Sequence, residues 1–221
     1  MMTQPPQGQP SRRIATWLLA ALAALSLQAC KPTASPNAAA GASSQVTEAA
    51  RFNAVDITGA EYARKLQLKD VDGKPRSLEE FKGKVVFLFF GYTQCPDVCP
   101  TTMADLAAVR KKLGPDGERV QGVFVTVDPE RDKPAVLKPY LAGMDPSFVG
   151  LHGTPAEIDA AAKEFKVFYQ KVEGREGGYT IDHTAGAFVF DPQGHVRLFV
   201  RYGMGVEPLA ADLKQLLAAK S

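Results

Sequence analysis

The chain has 221 residues, of which 45% are hydrophobic, and a formal net charge of +2. That is enough length and apolar content for a domain with a real core. The small net charge comes with no basic stripe and no arginine-rich helix, which argues against nucleic acid as a partner.

Residues 1–29 read as an export signal. Arg12 and Arg13 form a positive n-region, and residues 14–29 form an apolar stretch holding Trp17, Leu18, Leu19, Leu22, Leu25 and Leu27. It is shorter than the roughly 20 residues a membrane-spanning helix needs. The stretch ends in Leu27-Gln28-Ala29-Cys30, which resembles the lipobox of bacterial lipoproteins and makes Cys30 the expected lipidation site. The alternative is a short uncleaved anchor with an incidental cysteine. Without residues 1–30 the chain is formally neutral. Residues 30–50 are rich in Pro, Thr, Ala, Ser, Asn and Gly, with Val46 as the only large apolar residue. Such a segment reads as a flexible, lipid-anchored tether with a reach of roughly 25 Å. The expectation is an extracytoplasmic (periplasmic) protein held at a membrane, with one folded domain over residues 51–221.

Within that domain, residues 65–69 alternate in period two and end in the turn Asp70-Val71-Asp72-Gly73. Residues 85–90 are apolar on both faces, as a covered central strand requires. A helix over residues 100–113 is predicted from Met103, Leu106, Val109 and Leu113 on one side and basic residues near its end. Further buried strands are expected at residues 120–127 and 187–190, and helices at 134–141, 155–168 and 206–219. Residues 196–202 follow the turn Asp191-Pro192-Gln193-Gly194 and complete a hairpin. This order predicts an α/β, thioredoxin-like three-layer sandwich with a central mixed sheet and an N-terminal strand extension.

The chemistry concentrates in Gly91-Tyr92-Thr93-Gln94-Cys95-Pro96-Asp97-Val98-Cys99-Pro100, directly after the central strand. Pro100 suits a first helical turn, so Cys99 is expected near the N-cap, where the helix end would lower its pKa. Two such sulfurs either bind a soft metal or cycle between dithiol and disulfide. A structural disulfide is the bland alternative, though so small a loop contributes little by chain entropy.

Of the three histidines, His152 and His195 read as exposed loop residues, whereas His183 precedes a buried strand whose entry faces the cysteine loop. Thioredoxin-type redox enzymes place a proline at that entry, and residues 156–191 contain none. Two thiolates and an imidazole suit Cu(I), whereas Zn(II) would want a fourth ligand. Met103 reads as core. Asp128, Glu130, Arg131 and Asp132 read as residues that cap and turn the chain. Asp97 and Asp182 are the candidates for supporting the ligands from outside.

Three motifs together resemble the Sco/SenC family: the cysteine loop continuing to Thr101-Thr102, then Val127-Asp128-Pro129-Glu130-Arg131-Asp132, then Ile181-Asp182-His183-Thr184. Gln94 stands where members often carry histidine or an apolar residue. The resemblance implies a membrane-tethered copper metallochaperone with Cys95, Cys99 and His183 as ligands to Cu(I) or Cu(II). It implies cytochrome c oxidase subunit II, at its CuA site, as the partner, and other copper chaperones or a thioredoxin-like reductant as further ones. The competing reading is a thiol-disulfide reductase using the Cys95–Cys99 pair on the oxidase's copper-site cysteines, or a redox or copper-homeostasis sensor. A peroxiredoxin-like peroxidase is disfavoured, because no proline-threonine-rich motif surrounds a single cysteine.

Overall fold

All seven residues at 85–91 are buried, a pattern a strand sustains only when layers cover the sheet on both faces. The computed structural model describes residues 51–174 and 177–219; the expected export signal, Cys30 and the expected tether lie outside them. In chain order the elements are β1 (Val55–Asp56), β2 (Gln67–Asp70), β3 (Pro75–Ser77), β4 (Val85–Gly91) and α1 (Val98–Lys112). Next come β5 (Val120–Thr126), α2 (Pro134–Ala142), β6 (Val149–His152), α3 (Pro155–Glu164) and β7 (Tyr169–Glu173). The chain then runs through β8 (Tyr179–His183), β9 (Gly186–Phe190), β10 (Val196–Arg201) and α4 (Val206–Ala218). None of these helices is long and apolar enough to cross a membrane.

The main sheet has the order β1-β10-β9-β4-β5-β6-β2-β3. Strands β4, β5 and β6 are parallel, which requires the helical crossovers α1 and α2. Strand β9 pairs antiparallel with β4, and β10 with β9. The expected N-terminal extension closes both edges: β1 adds to β10, and the β2–β3 hairpin adds to β6. The β2–β3 turn needs a left-handed residue, supplied by Gly73 (φ 83°).

Two apolar layers sandwich this sheet. On one face a β-carbon at Gly122 would meet Leu106 of α1, Phe124 meets Tyr140 of α2, and α4 packs on α1. On the other, Phe165 at the end of α3 sits among Phe90, Phe188 and Phe190 with ring centroids 5.2–6.3 Å apart. Burying rings of this size is the main favourable term in folding. Met103 is fully buried here, as its core reading required.

Two expectations are corrected. The helix predicted over residues 155–168 stops at Glu164, because Lys166 takes a left-handed turn (φ 53°). The chain after it forms β7, which pairs with β8 as a separate two-stranded ribbon. Strand β7 is largely exposed, so it carries no period-two apolar signal to read. His152 is also not idle in a loop: it ends β6, half-buried, with Nε2 3.1 Å from the Asp70 carbonyl.

The N-terminal end of the domain is strapped down by one buried carboxylate. Asp212 of α4 accepts from the backbone N–H groups of Asn53 and Ala54 and from the Asn53 amide, at 2.8–2.9 Å. Asp212→Ala orphans these donors and should cost about 2–3 kcal/mol in urea unfolding, as expected for hydrogen bonds to a charged acceptor.

Candidate metal centre

Strand β4 delivers the cysteine loop to the edge where its parallel neighbour β5 also ends. Gly91 is paired with Thr126, and the Val127 N–H donates to the Gly91 carbonyl at 2.8 Å. A β-carbon on Gly91 would lie 2.9 Å from Cys99 Sγ and 2.7 Å from the Phe89 ring. Glycine is therefore what leaves room for the sulfur. Asp97 is the N-cap of α1, so Val98 and Cys99 fill its first two positions, and Pro100 the third, where its missing N–H costs nothing.

This start lies two residues ahead of the predicted one and changes the electrostatics. The helix N-terminus serves the other sulfur: the Cys99 N–H donates to Cys95 Sγ at 3.4 Å. Cys99 itself is fully buried, and burial, aided by its contact with Cys95, pushes its thiol well above the ordinary range. The expected lowering of its pKa is thus overturned, because desolvation outweighs the partial charge of a helix end. Both thiols are free, and Cys95 is half-exposed.

His183 arrives from across the sheet. Because β9 runs antiparallel to β4, the turn entering it lies over the cysteine loop, and His183 Nε2 sits 3.4 Å from Cys99 Sγ. Its ring stands edge-on between Phe89 and Tyr92, with centroids 5.8 and 5.9 Å away. Burial holds its pKa below the ordinary 6.5. Nδ1 lies 3.1 Å from the Thr184 carbonyl, so the proton of the neutral ring belongs on Nδ1 and the Nε2 lone pair faces the sulfurs. The ligand atoms of Cys95, Cys99 and His183 lie within 4.8 Å of one another, the only such cluster of three among the described residues.

Neither of the two acids expected to support these ligands hydrogen-bonds to one of them, although the charge of Asp182 acts on the ring of its neighbour His183. Asp97 accepts from Tyr202 Oη at 3.1 Å and from Thr101 Oγ1 at 3.3 Å. Asp182 is exposed on β8, and His183 Nδ1 is matched to the Thr184 carbonyl instead. His195 is exposed in the β9–β10 turn, as read from the sequence.

The cluster at Asp128, Glu130, Arg131 and Asp132 does more than cap. No side chain caps α2, whose N-cap is Lys133. Asp132 is buried and accepts from Thr93 N–H (3.0 Å), Thr93 Oγ1 (2.6 Å) and Thr126 Oγ1 (2.6 Å), tying the cysteine loop to the end of β5. Arg131 pairs with Asp128 and donates to Gln94 Oε1 at 3.1 Å and to the Tyr179 carbonyl at 2.8 Å, with its guanidinium 3.6 Å from the Tyr179 ring centroid. It therefore clamps the cysteine loop to the ribbon that carries His183. The legible signal was topological: loops following adjacent parallel strands share one edge of the sheet.

A thioredoxin-like sandwich presenting two thiols and an imidazole at one strand edge defines a protein built around a soft-metal or dithiol centre. Residues 55–218 match the model of the SCO1/SenC family, and the chain belongs to that family. The SCO2-like protein of Rickettsia felis is 36% identical over 130 residues, which span 58% of this chain and 63% of that protein. The matched part is thus less than two thirds of that relative's length. The structure of Bradyrhizobium japonicum ScoI with copper bound is 42% identical (TM-score 0.64), covering 69% of this chain and 98% of that one. Apo Sco1 from Thermus thermophilus is also 42% identical (TM-score 0.68), covering 76% of this chain and 98% of that one.

Gly91→Ala should shift the Cys99 sulfur and lower stability by about 1–3 kcal/mol, the range for overpacking; chemical denaturation and thiol accessibility together check this. The unloaded protein should also lose stability as pH falls below about 6.5, because the unfolded chain protonates this histidine at a higher pH than the folded one, where it is partly buried. Unfolding free energies from pH 8 to 5 should show this slope, and His183→Gln should flatten it.

Proposed function

We propose that the protein is a copper metallochaperone. It binds Cu(I) or Cu(II) through Cys95, Cys99 and His183 and delivers the ion to, or assists assembly of, the CuA centre in subunit II of cytochrome c oxidase. The observation that carries this reading is the convergence of two sulfurs and one imidazole nitrogen within 4.8 Å, in a family with a copper-bound member 42% identical to this chain. Three ligands of which two are thiolates suit a soft ion content with low coordination. Burial keeps His183 neutral, the form that ligates, and loading requires the thiols to release their protons. Half-exposed Cys95 gives an incoming ligand a sulfur to approach, which a transfer protein needs.

General thiol-disulfide exchange is disfavoured, since burial holds Cys99 as the unreactive thiol and a histidine stands where redox enzymes keep proline. The pair can still close to a disulfide that blocks loading, which gives a thioredoxin-like reductant a role as partner. Cys30, when lipidated, would hold the domain on the extracytoplasmic side of a membrane, within the roughly 25 Å reach of the tether.

His183→Ala tests the ligand set. Its Cu(I) affinity, in anaerobic competition with a chromophoric chelator, should fall by more than the roughly 10–100-fold that loss of an outer partner costs. X-ray absorption on the loaded parent should count two sulfurs and one nitrogen. Unchanged affinity and coordination in the variant would sink the assignment.

A further inference from the structure

Strand β8 ends in His183, and its only strand partner among the described residues is β7, in a ribbon separate from the main sheet. Sheet register therefore does not set how β8 approaches the cysteine loop; side chains from outside the ribbon do. Arg131 is one tie, donating to the Tyr179 carbonyl at the start of the strand. A tie nearer to His183 comes from Tyr92, the residue that follows β4. Its hydroxyl oxygen accepts the buried Ile181 N–H at 3.3 Å.

Tyr92 is itself buried and touches both ligand-bearing segments. Its backbone carbonyl accepts the Cys95 N–H at 3.3 Å, closing the turn that carries the exposed sulfur. Its ring meets the imidazole edge-on, with 5.9 Å between centroids and 85° between planes. Residues two apart on a strand face the same side, so buried Ile181 and His183 turn inward together. Holding the Ile181 backbone thus also holds the strand from which the imidazole projects. Phenylalanine here would fill the same space but leave the Ile181 N–H without this acceptor, and an unmatched buried donor is costly.

We propose that Tyr92 is a positioning residue for the imidazole ligand. Its hydroxyl anchors β8 at Ile181 and its ring fixes the tilt of His183, which together keep Nε2 aimed at the sulfurs. The inference rests on the copper reading above and adds a residue that acts on the nitrogen ligand alone.

The test is a cycle of Tyr92→Phe, His183→Ala and the double variant, with Cu(I) affinity read by anaerobic chelator competition. Tyr92→Phe should bind Cu(I) about tenfold more weakly than the parent. In the His183→Ala background the same change should cost nothing further, because the group it positions is gone. With Cu(II) bound, Tyr92→Phe should show weakened imidazole nitrogen coupling in pulsed electron paramagnetic resonance. Asp212→Ala removes hydrogen bonds that involve none of the ligands and should keep parental affinity. Parental affinity and nitrogen coupling in Tyr92→Phe overturn the proposal. An equal loss in both backgrounds, or an equal loss in Asp212→Ala, also overturns it, since the effect would then run through the sulfurs or through stability. Parental affinity in His183→Ala instead overturns the copper ligand set itself, a result distinct from the others.

Discussion

The pairing of β4 with a parallel strand on one side and an antiparallel strand on the other is the constraint on which the site depends. Parallel pairing with β5 sets Gly91 beside Thr126, so the loops after both strands emerge at one edge. Antiparallel pairing with β9 sets Phe89 beside Ala187, so the turn that enters β9 arrives at that same edge. Three segments distant in sequence therefore meet where backbone hydrogen bonding ends. The cysteines come from the first, the acid–arginine cluster from the second, and the histidine from the third.

Burial then sets the protonation state of what meets there. It pushes the Cys99 thiol up and holds His183 down, so both resting ligands are neutral. Keeping charge out of a low-dielectric pocket is the cheaper arrangement until a cation can compensate it. A cation held here would offset charge on the thiolates that form when it binds. Cys95, half-exposed at the helix N-terminus, stays open to solvent and to partners.

Rigidity comes from the polar groups around the ligands. Asp132 fixes the loop backbone through Thr93, while Arg131 joins Gln94 on that loop to Tyr179 on the ribbon. Tyr202 closes the opposite side, donating through its hydroxyl to Asp97 and through its N–H to the Ala185 carbonyl at 3.2 Å. Gln94 gains a defined role in this clamp. Such a frame limits how far two sulfurs and a nitrogen can separate without forbidding the small shifts that loading needs.

Much of this was legible in the chain itself. Apolar runs at residues 85–90 and 120–127 announced the central strands, because a strand covered on both faces must be apolar throughout. The cysteine spacing, the lone promising histidine and the missing proline narrowed the chemistry to a soft metal or a dithiol. What escaped was whatever depends on neighbours distant in sequence. Ribbon β7–β8 is too exposed to show a period, and Asp132 looks like any turn acid until Thr93 and Thr126 are seen to donate to it. Cys99 looked like an activated thiol because a sequence shows the helix start but not the burial around it. Local pattern by itself determined the elements and the ligand residue types. Only the tertiary structure decided their protonation, their separation and their supports, because those follow from desolvation and hydrogen bonds between segments that the chain keeps far apart.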